Sequence, residues 1–237
     1  MPERPLHASI IVPTYNERDN LAPLVTRLAP ILPPQSEILI VDDNSPDGTA
    51  AEAERLARDY PVRCVVRTTE RGLATAVTHG MRVARGKVWV VMDADLSHPP
   101  EVVPQLIGAL ADQSVKMAIG SRFVPGGRVD LHWPLHRRLN SLAGRLLARP
   151  LTGVRDMMSG FFCVRGDEVD IERLDPVGYK IALEIIVRHR WKNIVEIPIT
   201  FMDRAAGQTK LTMMEETRFL RHLWRLYSFK LFGSRAK

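Results

Sequence analysis

The run V-W-V-V-M at residues 88–92, followed at once by D-A-D-L-S-H-P-P-E at 93–101, constrains this chain most. Five consecutive β-prone apolar residues suit a strand covered on both faces, as in a parallel sheet flanked by helices. The strand must stop there, because Pro99 and Pro100 cannot continue a hydrogen-bond ladder and are suited to opening a helix. Asp93 and Asp95 therefore fall at a strand's carboxyl end, where open α/β sheets bind ligands. Two acids fixed by one strand end can share a divalent cation, which prefers hard oxygen ligands and bridges phosphates. They equally suit a turn, where Asp bonds its own backbone. The pair alone leaves both readings open.

The same pattern recurs upstream. A-S-I-I-V at 8–12 is strand-like and precedes P-T-Y-N-E at 13–17, after which Leu21, Leu24, Val25 and Leu28 recur at helical spacing. The loop offers an aromatic ring, a carboxylate and an amide, fit to hold a base or ribose or simply to connect. I-L-I-V at 38–41 runs into D-D-N-S-P-D-G-T, where Thr49 and Glu52 have capping-box spacing and predict a helix over 50–59. A third strand is expected at 62–66, then a helix ending near Ala84 with Gly86 as its stop. Gly72 either opens that helix or lets the backbone approach a ligand closely. Such alternation of strand and helix signals a parallel, doubly wound sheet. Neither G-x-G-x-x-G after the first strand nor G-x-x-x-x-G-K-[ST] occurs, which disfavours a dinucleotide dehydrogenase or a P-loop NTPase.

Further on, the pattern predicts a helix over 101–112, a strand at 115–119, a basic helix over 135–147, a strand at 158–164, a helix over 179–190 and a last strand at 194–199. In the basic helix Leu135, Leu139, Leu142 and Leu146 form a stripe decorated by Arg137, Arg138 and Arg145. Glu184 stands alone among apolar neighbours, either solvated or salt-bridged, or acting electrostatically on a nearby phosphate. Residues 212–232 form an amphipathic pattern, with Phe219, Leu220, Leu223 and Trp224 apolar and Arg218, Arg221, Arg225 and Lys230 cationic. That helix can lie in a membrane interface or pack on the domain.

The formal net charge is +6, and its location says more than its size. Residues 120–155 net +6 and residues 203–237 net +5, so the remainder is acidic. Two basic segments imply an anionic partner: nucleic acid, a phosphate-bearing ligand or an anionic membrane surface. Cys64 and Cys163 show no metal or redox spacing, and a reducing, cytosolic setting is expected. The opening residues lack a signal-peptide pattern, and no apolar window reaches the roughly 18 residues a membrane span needs. A soluble or peripheral protein is expected.

P-T-Y-N-E at 13–17, V-D-D-N-S-P-D-G-T at 41–49, D-A-D-L-S-H-P-P-E at 93–101, S-G-F-F at 159–162 and R-x-x-G-x-T-K-L at 204–211 occur in the order found in family 2 glycosyltransferases. Over nearly its whole length the chain resembles that family, and within it the dolichol-phosphate (polyprenyl-phosphate) mannosyltransferases. The resemblance implies a GT-A fold, Rossmann-like and mostly parallel, over residues 1–210, with an amphipathic, membrane-interfacial helix over 211–237. It implies inverting transfer of a sugar, usually from GDP-mannose, to a polyprenyl phosphate. Carried over to this sequence, Pro13, Tyr15, Glu17, Asp42 and Asp43 would contact the nucleoside, together with Asp93, Ala94 and Asp95 on the nucleotide sugar. Asp93 and Asp95, with Ser97 completing the shell, would hold Mg2+ or Mn2+ on the diphosphate, and Arg122, Arg137, Ser141, Arg204 and Lys210 would hold donor or acceptor phosphates. Asp93, Asp95 and Arg122 would carry the catalysis. The chain departs from the family at Ser97, where Gln is common, at Ala74, where Gly is usual, and at D-M-M-S-G-F from Asp156, which lacks a proline.

A transfer of this kind needs no general base, since a phosphomonoester with a second pKa of about 6 is already dianionic at neutral pH. What remains is to bring two polyanions together and stabilise the leaving nucleoside diphosphate. The implied partners are a nucleotide sugar, a polyprenyl phosphate and the cytoplasmic face of a membrane, reached directly or through an anchoring subunit. A related transferase using UDP-glucose is the near alternative. A non-catalytic nucleic-acid-binding protein would bind salt-sensitively and be indifferent to Asp93, and it leaves the ordered carboxylate loops unexplained.

Overall fold

A computed structural model describes residues 6–129, 135–175, 180–202 and 213–233, with only the backbone described at residues 6, 135–141 and 213–216. The first half alternates β1 (Leu6–Thr14), α1 (Arg18–Leu28), β2 (Ser36–Asp42), α2 (Thr49–Leu56), β3 (Val62–Val66), α3 (Leu73–Val83) and β4 (Gly86–Val91). The second half continues with α4 (Val103–Ala109), β5 (Met117–Ser121), β6 (Arg128–Val129), α5 (Leu135–Ala148), β7 (Phe162–Arg165), α6 (Ile181–Arg188), β8 (Ile194–Pro198), β9 (Thr200–Phe201) and α7 (Met213–Phe232).

Seven strands form one sheet in the order β3-β2-β1-β4-β7-β5-β8, and β6 pairs with β9 beside it. Parallel pairing of β1 sets Val12 against Ile40 of β2 and Ile10 against Val90 of β4. The chain moves outward from β1 to β3 and then returns to the other side of β1, so the order reverses between β1 and β4. The crevice at such a switch point is where open α/β sheets take ligands. β7 runs antiparallel to both β4 and β5, with Phe162 opposite Val91 and Ile119. A reversed strand begins where its neighbours end, so the residues before β7 arrive at the carboxyl ends of β4 and β5.

Period-two alternation divides the apolar side chains between two cores. Ile10, Val12, Ile38 and Ile40 join Leu21, Leu24 and Leu28 of α1 and Leu106 of α4, all fully buried. Ile11, Leu39, Val41 and Val91 join Val77 and Met81 of α3, Ile185 of α6 and Leu223 and Leu226 of α7. Both faces are covered, as the unbroken apolar runs required. Each fully buried Ile or Leu contributes about 1.5–3 kcal/mol relative to exposure, so these layers anchor the strand ends that carry the site.

Several sequence expectations shift. The capping box does not form, because Asp47 takes over the role of acceptor: its Oδ1 receives both Thr49 N at 3.0 Å and Thr49 Oγ at 2.6 Å. Glu52 pairs with Arg55 instead, and the helix ends three residues early, at Leu56. Gly86 does not stop α3 but opens β4, where a Cβ would lie 2.3 Å from the Ala8–Ser9 backbone of β1. The expected helix over 101–112 divides into a 3-10 turn at Pro100–Val102 and the short α4. The strand expected from 158 begins only at Phe162, since 156–161 form a loop whose hydrogen bonds are described below.

Candidate active site

The first wall of the crevice is built by the loops after β1 and β2. Asp42 is fully buried and spends both carboxylate oxygens inside the loop: Thr14 Oγ (3.0 Å) and Ser45 Oγ (2.5 Å) donate to Oδ1, and Ser45 N (2.8 Å) to Oδ2. It thereby clamps the two loops together. Asp43 Oδ2 accepts the Gly72 N–H at 2.8 Å, while Oδ1 forms an ion pair at 3.4 Å with Arg67 Nη1, neither of these two atoms having a hydrogen-bond partner. Burial raises the Asp43 carboxyl above its usual pKa, against the opposing pull of the Gly72 amide and Arg67. A buried ion pair whose facing atoms still lack hydrogen bonds suits a ligand that presents both a donor and an acceptor, as a nucleobase edge does. Gly72, at φ +146°, adopts a conformation open to glycine, and its N–H is taken up by Asp43.

Tyr15 and Glu17 border the same region. The Arg71 guanidinium lies 5.0 Å from the Tyr15 ring centre and donates to its hydroxyl at 3.3 Å. Glu17 Oε2 accepts from Asn20 at 2.6 Å, and the Glu17 N–H donates to Thr49 Oγ at 3.0 Å. Pro13 pairs with Val41 in the last buried rungs of β1 and supports the loop from below.

The carboxylate pair lies at the end of β4. Met92 N makes the last ladder bond, 3.2 Å to Ile11 O, after which the chain turns through Asp93, Ala94 and Asp95. The Asp93 side chain is 37% exposed, whereas Asp95 and Ala94 are buried. Leu96 takes φ +61°, uncommon for a branched apolar residue, and brings Ser97 back onto Asp95. Ser97 N (3.1 Å) and Oγ (2.6 Å) both donate to Asp95 Oδ1. Ser97 is itself only 1% exposed, and both of its donors are directed to Asp95.

The residues preceding β7 supply the facing wall. Ser159 Oγ donates to Gly120 O at 2.8 Å and accepts from Phe161 N at 3.1 Å, which joins this loop to the end of β5. A Cβ on Gly160 would stand 3.6 Å from the His98 ring and 3.9 Å from Asp93 Oδ1. Arg122 follows β5 and is held on Asp156: its N and Nε donate to Oδ2 at 2.9 and 2.8 Å, and its terminal nitrogen to Oδ1 at 2.8 Å. Phe123 and Phe201 lie 5.2 and 5.1 Å from the guanidinium carbon. Glu196 of β8 receives the N–H groups of Arg155 and Asp156 at 2.8 and 2.9 Å, fixing the loop from outside.

Besides Arg67 and Arg71, three contributors were not singled out from the sequence. Asp156 appeared only as a motif letter, yet it orients Arg122. His98 is buried beside Asp93, and burial holds its imidazole below the usual pKa against the charges of Asp93 and Asp95. Lys180 donates to Met158 O at 2.8 Å; burial, then Arg122, push its ammonium down to about 7, while Asp156 and Asp93 pull it upward. A cation directly before the wholly apolar start of α6 was the available signal.

Arg204 and Lys210 lie outside the described residues, as do the side chains of Arg137 and Ser141. Among the described residues no group of three or more His, Cys, Asp or Glu side chains converges as a metal cage. The Asp93–Asp95 pair still fits Mg2+ or Mn2+, since its hard carboxylate oxygens suit a cation that takes its other ligands from diphosphate and water.

Glu184 is buried and paired with His222 and with Arg188, at 3.0 Å for the latter, and also accepts Asp175 N at 2.9 Å. It thus joins α6 to α7, resolving the sequence alternatives in favour of a salt bridge. α7 packs one face on the domain, the second of its two expected placements, and leaves apolar side chains exposed on the other. Phe219, His222, Leu223 and Leu226 are buried, while Leu220, Trp224 and Leu231 remain exposed at 54, 69 and 72%. Leu142, Leu146 and Leu147 of α5 are exposed too, and the Tyr227 hydroxyl donates to Leu147 O at 2.6 Å, which ties the two helices together. No helix among the described residues is long and apolar enough to cross a membrane.

Residues 9–173 match the model of "Glycosyl transferase family 2". The chain is 44% identical over 230 residues to a dolichol-phosphate mannosyltransferase of Pyrococcus furiosus, covering 95% of this chain and 65% of that protein. It therefore spans just under two thirds of that relative's length. A dolichol-phosphate mannosyltransferase of Saccharomyces cerevisiae is 42% identical over 239 residues, covering 95% and 88% of the respective chains. Among solved structures, glucosyl-3-phosphoglycerate synthase from Mycobacterium tuberculosis, in complex with Mn2+, UDP and glucosyl-3-phosphoglycerate, superimposes with a TM-score of 0.69 at 19% identity. That match covers 95% of this chain and 80% of the other, and identifies the fold as GT-A.

Proposed function

The chain belongs to glycosyl transferase family 2, and on that footing we propose that it transfers mannose from GDP-mannose to a dolichyl or other polyprenyl phosphate, inverting the anomeric centre. The observation that carries this reading is the meeting of two loops. The reversed β7 brings the 156–160 loop, with Arg122 anchored on it, against the exposed carboxylate of Asp93. One wall suits a diphosphate and the other an incoming phosphate.

In this mechanism Asp43, Arg67 and Gly72 hold the base, and Tyr15 and Arg71 border it. Asp93 and Asp95 would hold Mg2+ or Mn2+ at the diphosphate end of the donor. When bound, the cation would draw charge from the departing nucleoside diphosphate. Arg122, with its orientation fixed by Asp156, pairs with the acceptor phosphate and aims it at the anomeric carbon. Arg137, Ser141, Arg204 and Lys210 are assigned to the same phosphates from the motif positions. The acceptor is already anionic at neutral pH, so no side chain need remove a proton. Lys180 adds charge beneath the loop that closes the site.

The exposed leucines of α5 and the stripe Leu220, Trp224, Leu231 on α7 are assigned to the cytoplasmic face of a membrane, from which the lipid phosphate is presented. Residues 211–237 would then be the membrane-facing element of a catalytic unit spanning 1–210. Flotation with vesicles of mixed neutral and anionic lipid tests this, comparing the wild type with Leu220→Ser/Trp224→Ser; failure of the wild type to float points to a membrane-anchoring partner subunit instead.

The decisive assay is transfer of radiolabelled mannose from GDP-mannose to a polyprenyl phosphate, with and without EDTA, in wild type and Asp95→Ala. Both EDTA and the substitution should abolish transfer. Unaltered turnover in Asp95→Ala refutes the metal-gripping role. Calorimetry with GDP and UDP in the presence of Mg2+ decides the donor, and preference for UDP would replace mannose transfer with that of another sugar.

A further inference from the structure

The Asp93 N–H presents an accounting problem. It is the first amide past the end of the β4 ladder, since Met92 N already makes the final bond to Ile11 O. Inside a site that excludes water, an unpaired amide is costly and its peptide plane is free to rotate. His98 resolves this: its Nδ1 accepts the Asp93 N–H at 3.1 Å and lies 3.8 Å from Asp93 Oδ2.

An imidazole nitrogen that accepts an amide proton must carry a lone pair, so a neutral His98 is the Nε2–H tautomer. The ring is held in this pose on two sides. It stacks on Phe161 at 5.1 Å between centroids, with an interplanar angle of 15°, and meets Phe201 edge-on at 5.6 Å. The Gly160 backbone closes against its edge. His98 belongs to the same six-residue turn it braces, and Ser97 braces Asp95 from within that turn. Each acid therefore has its own clamp, on the backbone of Asp93 and on the carboxylate of Asp95, and the clamps follow the acids by five and two residues.

We propose that His98 is a positioning residue that fixes the Asp93 peptide, and with it the carboxylate, in the geometry needed to hold the cation and diphosphate. This rests on the reading that Asp93 and Asp95 bind that cation. Outer-shell groups of this kind change metal affinity by roughly 10–100-fold when removed. The role does not need the whole imidazole, only an acceptor where Nδ1 stands.

Asn places its side-chain oxygen at the position of Nδ1, whereas Gln reaches toward that of Nε2. His98→Asn should therefore preserve the clamp and His98→Gln should lose it, at similar polarity. The readouts are Mn2+ affinity in the presence of GDP, followed by electron paramagnetic resonance, and thermal unfolding to confirm that each variant is folded. We expect His98→Gln to weaken Mn2+ by about 10-fold or more, with His98→Asn near the wild type. Nitrogen-15 correlation of the wild-type ring should show the Nε2–H tautomer. Equal Mn2+ affinity in folded His98→Gln and wild type, with Asp95→Ala still impaired, overturns the role of His98 and leaves the metal reading intact. Unimpaired Mn2+ binding in Asp95→Ala overturns both. An Nδ1–H tautomer in the wild type also sinks the proposal.

Discussion

Replacing Asp156 separates stability from function at this site. The carboxylate is fully buried, and three donors of Arg122, itself 9% exposed, converge on it within 2.9 Å. Asp156→Ala leaves the guanidinium buried without its counter-charge, a change that costs about 3–5 kcal/mol. In a chain of this length each kcal/mol shifts the melting temperature by roughly 2–4 °C, so a fall of about 6–20 °C is expected. The companion is Arg122→Met/Asp156→Leu, which removes both charges and fills similar volume. Buried ion pairs replaced as a unit by apolar residues are often near neutral, so the double variant should recover most of the loss. A coupling energy of about 2 kcal/mol or more should emerge from the cycle completed with Arg122→Met and Asp156→Leu alone. Turnover should not recover, because Arg122 is the group assigned to the acceptor phosphate. Thermal unfolding by circular dichroism and the mannose-transfer assay read the two outcomes. If Asp156→Ala melts within about 2 °C of the wild type, or the two single changes simply add, the pair does not work as described. If the stable double variant still transfers mannose, Arg122 is not needed for chemistry.

Lys180 predicts a pH effect of definite sign. Its folded pKa of about 7 lies below the ordinary 10.5, so between those values the unfolded chain binds more protons and stability rises with pH. Urea midpoints from pH 7 to 9 should climb more steeply in wild type than in Lys180→Met, and equal slopes would refute the assignment. Glu184 has the opposite dependence. Burial opposes its ionisation, but His222, the Asp175 amide and Arg188 bring its carboxyl below the usual 4.5, so its contribution is complete above that value and is lost as pH falls through the lower folded pKa. The stability gap between wild type and Glu184→Gln should therefore be constant near neutrality and shrink below pH 4.5; a gap that persists at pH 3 contradicts it. Ser97→Ala removes one hydroxyl from Asp95 Oδ1, a charge-assisted bond of about 1.5–3 kcal/mol. Mn2+ affinity should drop together with a fall in melting temperature of about 3–12 °C, and an unchanged affinity would mean that Ser97 does not support the metal site.

What could be read in advance was whatever the chain expresses locally. V-W-V-V-M before D-A-D announces a covered strand with acids at its end, because burial on both faces and the stop imposed by Pro99 and Pro100 both act within a few residues. Thr49 and Glu52 show the limit of that reasoning: the capping-box spacing was correct, but Asp47, two residues before Thr49, offered a nearer acceptor and took both its amide and its hydroxyl. α7 was ambiguous in sequence because both of its faces carry apolar residues. One meets the core at Leu223 and Leu226, and the other stays open at Leu220 and Trp224.

The direction of β7 was a different kind of unknown. An apolar run such as F-F-C-V has the same pattern whichever way it enters a sheet, and some forty residues separate it from β5, so no turn type fixes its sense. Yet that direction decides the site. Entered parallel, β7 would leave Asp156, Ser159 and Gly160 at the opposite end of the sheet from Asp93, and Arg122 would lose the carboxylate that aims it. Entered antiparallel, it delivers them to the strand ends that already hold the acids. A pair of carboxylates at one strand end is therefore only half of the proposed site. The reversal of the next strand in the sheet supplies the other half, and it is the long-range contacts of Ser159 with Gly120 and of Glu196 with Asp156 that hold it there.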